Sequence, residues 1–556
     1  MKISKNMTNV EIAELLRDVA AAYKIKDADR NKFRIVAYER AADAVEHLSS
    51  EAKDLWDDGK LTDVAGIGES IAKHLDEIFR TGKSKHFSVV MKGLPESMFE
   101  LMKVPGIGPK TALKMAKSGE VPSEVKKSLR ELKKNPQRLL LPYAQEIADG
   151  IVAWLEKDKN VTRADALGSL RRKASTVGDV DIAAASTNAA ETINHFTKYP
   201  NATRILEKGD RTASIIVPGN KQVDLMVEIP DAYGALLQHF TGSKHHNIAL
   251  RELALKKGMS LSDYGIKIKG KLEKVKTEED LYKRLGLDYI SPELREDTGE
   301  IDAARSNKLP NLIELTDIKA DLQIHSSFDI ETSHDVGISS MEEVVRKAEE
   351  LNYEYVAFTE HNPSKSKHNE KEIVAILKRK QRKVAKLKSS VKAFNGLEID
   401  ILPDGSLPVP DEGLQTLDFA LVSIHSSFSQ SRDAMTKRVL SGLAHPKVKI
   451  FAHPTARRLN WRESIELNWP EIFDFCVKHN KWLEINADPV RLDLPDNLVR
   501  DAVSKGVKLT LGTDSHGITQ MANMKYGVDV ARRGWATKGD IINSLSLSEF
   551  KEVIKK

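Results

Sequence analysis

Apolar residues recur at three- and four-residue steps through "NVEIAELLRDVAAAY" and "RIVAYERAADAVEHL", the spacing of amphipathic helices. That period holds from residue 1 to about 135, so this region is expected to be almost wholly helical. From about 160 to 230 it gives way to short β-like runs, "DVDIAAAS", "ASIIVP" and "QVDLMVEI", parted by Gly, Asn and Pro. Residues 231 to about 315 mix helix with short strands around "TGSKHHNIALRELALKKGMS". From about 316 strands and helices alternate: "KADLQIHSS", "EEVVRKAEELN", "YEYVAFTEHNP", a basic helix, "VKAFNGLEIDIL", "LDFALVSIHSS", "KIFAHP", "KWLEINA" and "KLTLGTDSHG". Alternation of this length predicts an α/β barrel-like domain with its function at the C-terminal ends of the strands.

Composition narrows the picture only a little. The chain has 556 residues, 30% charged and 40% hydrophobic, which calls for about two to four globular domains rather than one core. No apolar run approaches membrane-spanning length, and "MKISKNMTNVEIAELLRDV" enters a helical pattern without a signal-peptide core. The single cysteine, Cys476 in "IFDFCVKHN", reads as a buried small hydrophobe and leaves no disulfide within the chain, which fits a reducing cytoplasm. A net charge of +5 permits a polyanionic partner without arguing strongly for one.

Two segments of the helical region resemble each other, "VAGIGESIAKHLDEI" (64–78) and "VPGIGPKTALKMAK" (104–117). In each, Gly-Ile-Gly precedes an amphipathic helix: Gly66 and Gly68 in one, Gly106 and Gly108, followed by Lys110, in the other. Glycines let the backbone turn tightly and present unpaired helix N–H groups, which suit a phosphate oxygen. One copy is a helix cap as readily as a binding motif. Two with the same framing resemble helix-hairpin-helix motifs that grip a nucleic-acid backbone without reading its sequence, and a monovalent cation at these motifs belongs to the same expectation.

In "GSLRRKASTVGDVDIA" (168–183), Asp179 and Asp181 alternate across Val180 and so share a face of a strand. Asp224 in "QVDLMVEI" joins them if its strand lies alongside. Three converging carboxylates call for divalent metal, and with two Mg²⁺ ions they form a clamp for phosphoryl transfer. Asp-x-Asp alone fits an exposed strand edge equally well. Gly168-Ser169 with the arginine pair, followed by Gly178-Asp179-x-Asp181, resembles the nucleotidyltransferase palm of the X family of DNA polymerases, which includes polymerase beta. On that resemblance Gly168, Ser169, Arg172 and Gly178 meet a triphosphate. "HFTGSKHHNIALRELA" is similar to the family's nucleotide-binding segment, which implies that Phe240, Thr241 and Gly242 meet the sugar, Asn247 the base and Arg251 the template side. Two departures stand out: His239 precedes Phe240 where a tyrosine is often found, and His74 occupies the place of the Schiff-base lysine of polymerase beta, with Lys73 beside it. Imidazole forms no iminium, so lyase activity is in doubt while binding of a 5′-phosphate is retained.

Histidines cluster at strand ends after residue 320, in "QIHSS", "TEHNP", "SIHSS", "FAHPT" and "TDSHG", with Glu398 in "GLEIDIL". Singly, each is a structural histidine more often than a ligand; together, imidazoles with interleaved carboxylates are ligands for Zn²⁺, Mn²⁺ or Fe²⁺, and spacing does not choose among them. The pattern resembles the polymerase and histidinol phosphatase (PHP) domain, a metal-dependent phosphoesterase barrel fused to many bacterial and archaeal X-family polymerases. His325, His361, Glu398, His425, His453, Asp514 and His516 match its ligand motifs. The usual His-x-His reads Gln323-Ile324-His325, which predicts a weakened metal position, and the next ligand is His334 or Asp335, with His334 preferred. The resemblance implies 3′-to-5′ exonuclease or abasic-site and phosphatase-type cleavage, with Mn²⁺ or Zn²⁺, up to three ions. The basic helix "ILKRKQRKVAKLK" (376–388) is open between a DNA rail and an ordinary solvated face.

The sequence thus predicts a multidomain chain: a helical helix-hairpin-helix region, an α+β nucleotidyltransferase palm and thumb, and a C-terminal α/β PHP barrel. The expected divisions are 1–85 (helical, 5′-phosphate and DNA binding), 86–150 (fingers-like, second hairpin), 151–235 (palm), 236–315 (thumb-like) and 316–556 (PHP). The expected activity is DNA polymerisation filling short gaps in base-excision-type repair, with a metal-dependent nuclease, on gapped or primer-template DNA and deoxynucleoside triphosphates. A monomer in the cytoplasm with no membrane partner completes the expectation. The alternatives are an end-processing hydrolase whose palm only holds DNA, and a DNA-binding scaffold with vestigial sites.

Overall fold

A computed structural model describes residues 7, 9–46, 52–57, 59–64, 66–104, 107–122, 125–126 and 138–555. By its internal contacts the chain divides into two compact units, Met1–Arg171 with Thr176–Tyr289, and Arg172–Ser175 with Ile290–Lys556.

The first unit opens with the predicted helices. Asn9–Asp27 and Lys32–Glu46 bury Ile12, Leu15, Leu16 and Val19 against Ile35, Tyr38, Ala41 and Val45, the apolar stripes seen in the sequence. Glu69–Thr81 and Pro109–Ser118 are the helices of the two hairpins, and their starts match closely. Gly68 and Gly108 are the N-caps, with φ of −75° in both and ψ of 162° and 167°. The preceding isoleucines donate equivalent turn hydrogen bonds, Ile67 to Val64 O at 2.9 Å and Ile107 to Val104 O at 3.1 Å. Gly66 has a φ of +103°, and a Cβ there would lie 3.0 Å from the Ala44 methyl, so a side chain would be excluded twice over. Gly106 lies outside the described residues.

After the helix Leu141–Leu155 comes a five-stranded sheet. Its order is Val161–Ala166, Val180–Ser186, Lys221–Glu228, Thr212–Val217, Arg204–Lys208. Only the pair 180–186 with 221–228 is parallel, and it sits in the middle. Tyr233–Thr241 and Lys244–Lys256 follow as helices, then a three-stranded antiparallel sheet over 259–273. The α+β character expected from the sequence is present throughout.

The second unit is built on parallel strands: Ala320–Ile324, Tyr355–Phe358 and Lys392–Asn395 in one sheet, then Glu398–Asp400, Ala420–Ser423, Val448–Phe451, Trp482–Asn486 and Leu509–Gly512 in another. Bridges from His361 to Glu398 and from Ile324 to Ser515 link the two sheets at both ends, closing a barrel. The run 392–400 is one strand interrupted at Gly396-Leu397, where a Cβ on Gly396 would come within 2.9 Å of the Thr359 methyl. Alternate strand residues, Ala320, Leu322, Tyr355, Ala357, Phe394, Leu421, Ile450 and Trp482, pack with Phe550 of the last helix, Leu547–Val553. Phe550 stacks on Tyr355 at 4.5 Å and meets Phe394 edge-on at 5.1 Å, so the C-terminal segment plugs one end of the barrel. No described helix is long and apolar enough to cross a membrane.

Candidate active sites

The parallel register of the central strands pairs Asp181 with Asp224 directly, Cα opposite Cα. In a parallel pair such residues project from the same face, so Asp181 and Asp224, two of the three carboxylates expected to converge, lie side by side. Asp179 lies one residue before its strand starts, at the turn, rather than within it. Burial, then Asp224, then Asp179 together push the Asp181 carboxyl up to about 6, the result expected when carboxylates share a poorly solvated edge. Asp224 accepts hydrogen bonds from the Ser214 hydroxyl and from Gln222 Nε2 at 3.0 Å. Among the described residues no ligand atoms of this trio come within 4.8 Å of one another as a set of three. The donor chemistry fits divalent cations, since Asp224 and Asp179 both raise the proton affinity of Asp181, and positive charge among the carboxylates relieves that repulsion.

Gly168 has a φ of +58°, and a Cβ there would meet Asp181 Oδ2 at 3.0 Å. The small Gly-Ser turn therefore presses its backbone against the carboxylate edge, with Ser169 inside the short helix Gly168–Arg171. A Cβ on Gly178 would approach Arg138 Nη1 at 3.2 Å. The arginine pair separates. Arg171 donates to Thr241 Oγ1 at 2.6 Å and forks onto the nearly buried Glu278 at 2.6 and 3.0 Å. Arg172, expected to meet a triphosphate, is bonded to Glu296 at 2.9 Å. Phe240 packs on the core of Leu167, Ala183, Tyr233 and Leu236, and Gly242, with a φ of +70° and a ψ of −150°, ends the helix and is joined to Ser243 by a cis peptide. Asn247 donates to the carbonyl of His239 at 2.7 Å, and Arg251 reaches the His239 ring at 3.0 Å. Burial and then Arg251 hold the His239 imidazole below its usual range, so the residue that departs from tyrosine is a neutral anchor for its neighbours.

In the helical region, Gly108 and Lys110 line a cleft of about 590 Å³ with Lys24, Lys32 and Val36. His74 lies flat on His86, centroids 4.2 Å apart and planes 1° from parallel, and His86 Nε2 meets the Tyr23 hydroxyl at 2.9 Å. Lys73 is exposed on another face of the helix.

The second unit gathers the predicted histidines at the C-terminal ends of its strands. Four sets of three place ligand atoms within 4.8 Å: His325, His361 and His516; His334, His361 and His425; Glu398, His425 and His453; and His325, Glu398 and Asp514. Glu398 is the hub, 2.9 Å from His453, 3.3 Å from His325, 3.4 Å from His425 and 3.7 Å from His361. Both candidates of the ambiguous pair take part: His334 joins a histidine set, while Asp335 lies 3.2 Å from His516 and 3.5 Å from His361. His361 Nδ1, His453 Nδ1 and His516 Nε2 are buried without a hydrogen-bond partner among the described residues. Buried lone pairs left unmet beside carboxylates are what a divalent ion satisfies, so this donor set fits metal. Burial drives the His361 imidazole down to about 4 despite Glu398, keeping it neutral and able to ligate.

Gln323, at the position expected to weaken one metal site, has partners of its own. Fully buried, it donates to Glu398 Oε2 at 2.8 Å and accepts from Asn486 at 3.3 Å, orienting the hub carboxylate. Gly512 makes room for it: a Cβ there would overlap Glu484 Oε1 at 2.1 Å and the Gln323 Cβ at 2.7 Å. Sequence reasoning missed Asp400, which takes His425 Nδ1 at 2.6 Å and His334 Nε2 at 2.7 Å and so orients both rings. Its signal was present, since Glu398-x-Asp400 repeats the alternation that drew attention to Asp179-x-Asp181. Asn486 and Arg491, both near Asp514, carried no such signal.

The chain matches the helix-hairpin-helix domain over residues 7–84 and the SAM-like helix-hairpin-helix tandem over 98–138. It matches the DNA polymerase beta thumb over 236–296 and the PHP domain over 321–488. It is 30% identical to the DNA polymerase/3′-5′ exonuclease PolX of Bacillus subtilis (strain 168), over 99% of this chain and 100% of that one. The chain belongs to the PolX family. It is also similar to DNA polymerase lambda of Rattus norvegicus and of Arabidopsis thaliana, 26% identical in each case over 52% of this chain and 56% and 62% of theirs. Those partial matches are consistent with an X-family polymerase to which a PHP barrel is joined.

Proposed function

We propose that this protein is a DNA-directed DNA polymerase that fills short gaps in base-excision-type repair and carries a metal-dependent 3′-to-5′ exonuclease or phosphoesterase in its PHP barrel. The observation that carries the polymerase half is the direct register of Asp181 with Asp224, joined by Asp179. Asp179, Asp181 and Asp224 would hold two Mg²⁺, which supply charge neutralisation to a triphosphate and lower the proton affinity of a primer 3′-hydroxyl. Gly168 and Gly178 bring backbone close to the triphosphate, Ser169 donates to it, and Arg172 exchanges Glu296 for phosphate. Phe240, Thr241 and Gly242 shape the sugar pocket, Asn247 faces the base and Arg251 the template side. Gly66, Gly68, Gly106, Gly108 and Lys110 hold the DNA backbone, with a monovalent cation at the hairpins, and the His74–His86 stack beside Tyr23 favours holding a 5′ end over forming an iminium. In the barrel, His325, His334, Asp335, His361, Glu398, His425, His453, Asp514 and His516 would hold up to three Mn²⁺ or Zn²⁺, which supply an activated water to a phosphodiester. The five divisions 1–85, 86–150, 151–235, 236–315 and 316–556 are assigned accordingly, in a monomeric, cytoplasmic protein.

Extension and degradation of a labelled primer on gapped DNA, in Mg²⁺ and in Mn²⁺, tests both halves. Asp179→Ala should reduce nucleotide incorporation to background and spare degradation, while His361→Ala with Glu398→Ala should do the reverse. Loss of both activities in either variant would refute separate sites, and extension by Asp179→Ala would refute the palm assignment.

A further inference from the structure

Immediately after His453 the chain folds into a tight hairpin. The Ala456 N–H donates to His453 O at 2.9 Å, Arg458 N and Arg462 O pair at 2.9 Å, and the Leu459 N–H ties the tip to Val490 O at 2.7 Å. The next residue, Arg491, lies 3.6 Å from Asp514, so the hairpin is anchored at the rim of the metal-ligand cluster from two strands. At its tip stands Trp461, a large aromatic that is 42% exposed. Arg458 lies over its ring at 4.7 Å and Arg462 at 5.8 Å, while Arg462 also covers Phe428 at 4.1 Å. Phe428 follows His425 by three residues, so the two aromatics come from loops that each begin at a candidate ligand. Positive charge is crowded here: burial first, then Arg491 and Arg458, bring the Arg462 guanidinium down to about 9, with Asp493 the weakest influence and the opposing one.

An exposed indole clamped by guanidinium groups, beside phosphodiester-cleaving chemistry, has the make-up of a single-strand binding surface. Bases stack on the ring whatever their identity, and the arginines attract the backbone. We propose that Trp461, with Phe428, Arg458 and Arg462, is a stacking platform that receives the unpaired 3′-terminal bases of a DNA strand and delivers the terminal phosphodiester to the histidine cluster. The proposal rests on the reading of that cluster as a nuclease, and it explains how a strand is held without sequence preference: the ring offers a π-face and no base-edge code.

The test is photo-crosslinking of the full chain, in EDTA, to a single-stranded oligonucleotide carrying 5-iodouracil at its 3′ end, with the crosslinked residue mapped by mass spectrometry. Hydrolysis in Mn²⁺ of single-stranded DNA and of a strand whose 3′-terminal units are tetrahydrofuran abasic residues, which have no ring to stack, is measured alongside. Trp461 or Phe428 should carry the crosslink. Trp461→Ala should raise KM for DNA roughly tenfold and leave KM for the abasic strand unchanged, and Trp461→Phe should retain most of the affinity. Crosslinks confined to other regions, or a Trp461→Ala variant with unaltered KM, would overturn the platform. Equal losses on both substrates by the Ala and Phe variants would overturn it too, as the mark of a merely structural residue. Crosslinking at Trp461 in a wild-type protein that hydrolyses neither substrate would uphold the platform and refute the nuclease reading instead.

Discussion

Asp181 shows at the scale of one residue how function strains a fold. Burial first, then Asp224 and Asp179, push its carboxyl up to about 6 in the folded chain, above the 3.8 of a free side chain, so the native state binds this proton more tightly than the unfolded one. Stability is therefore full below the unfolded value, falls as the pH rises through 3.8 toward 6, and stays reduced above. The full effect is on the order of 3 kcal/mol. Asp181→Asn removes the charge and is expected to raise the unfolding temperature of the metal-free protein at pH 8 while abolishing nucleotide incorporation. The gain should shrink to nothing below about pH 4, and calorimetry of both proteins across that range checks it. Gln323 shows at the same scale what neighbours add to a residue type. Read from the chain as a poor replacement for histidine, it is bonded to the hub carboxylate and to Asn486. A residue type says what a side chain can do, and its neighbours choose.

At the scale of elements, strand and helix positions followed the periodicity closely, because burial of one face enforces it. The basic helix is the instructive case. Observed over Glu370–Ala385, it spends its cations on neighbours: Lys378 on Glu412 at 2.7 Å, Arg379 on Glu331 at 3.0 Å, and Lys383 on Glu342. Lys380, by contrast, is fully buried, bonded to Glu360 at 2.7 Å and to the Phe358 and Gly396 carbonyls. Glu360 in turn accepts from the Ser326 N–H at 3.2 Å, so this cation braces the segments that carry His325, His361 and Glu398. Lys380→Met strands a buried carboxylate and should cost about 3–5 kcal/mol. Lys378→Ala should change stability by less than about 1 kcal/mol. Denaturant titration separates the two, and comparable losses would refute the bracing role.

For the whole molecule, each candidate centre lies within a different compact unit: the aspartate trio in one, the histidine cluster in the other. Mn²⁺ at a hundred times its dissociation constant should therefore stabilise the folded protein by about 2.7 kcal/mol through the histidine cluster. His361→Ala with Glu398→Ala should lose that shift in the thermal transition, and Asp179→Ala should keep it. The chain sequence by itself determined the order of elements, the duplicated Gly-Ile-Gly hairpins, and the ligand-bearing strand ends. Each of these is a local matter of spacing and residue type. Only the tertiary structure decided that Asp224 faces Asp181, that Arg172 meets Glu296 while Arg171 meets Thr241, that Asp400 orients two histidines, and that Phe550 closes the barrel. Those pairings join residues far apart along the chain, where strand register, packing volume and the need to neutralise buried charge select partners that no short-range pattern encodes.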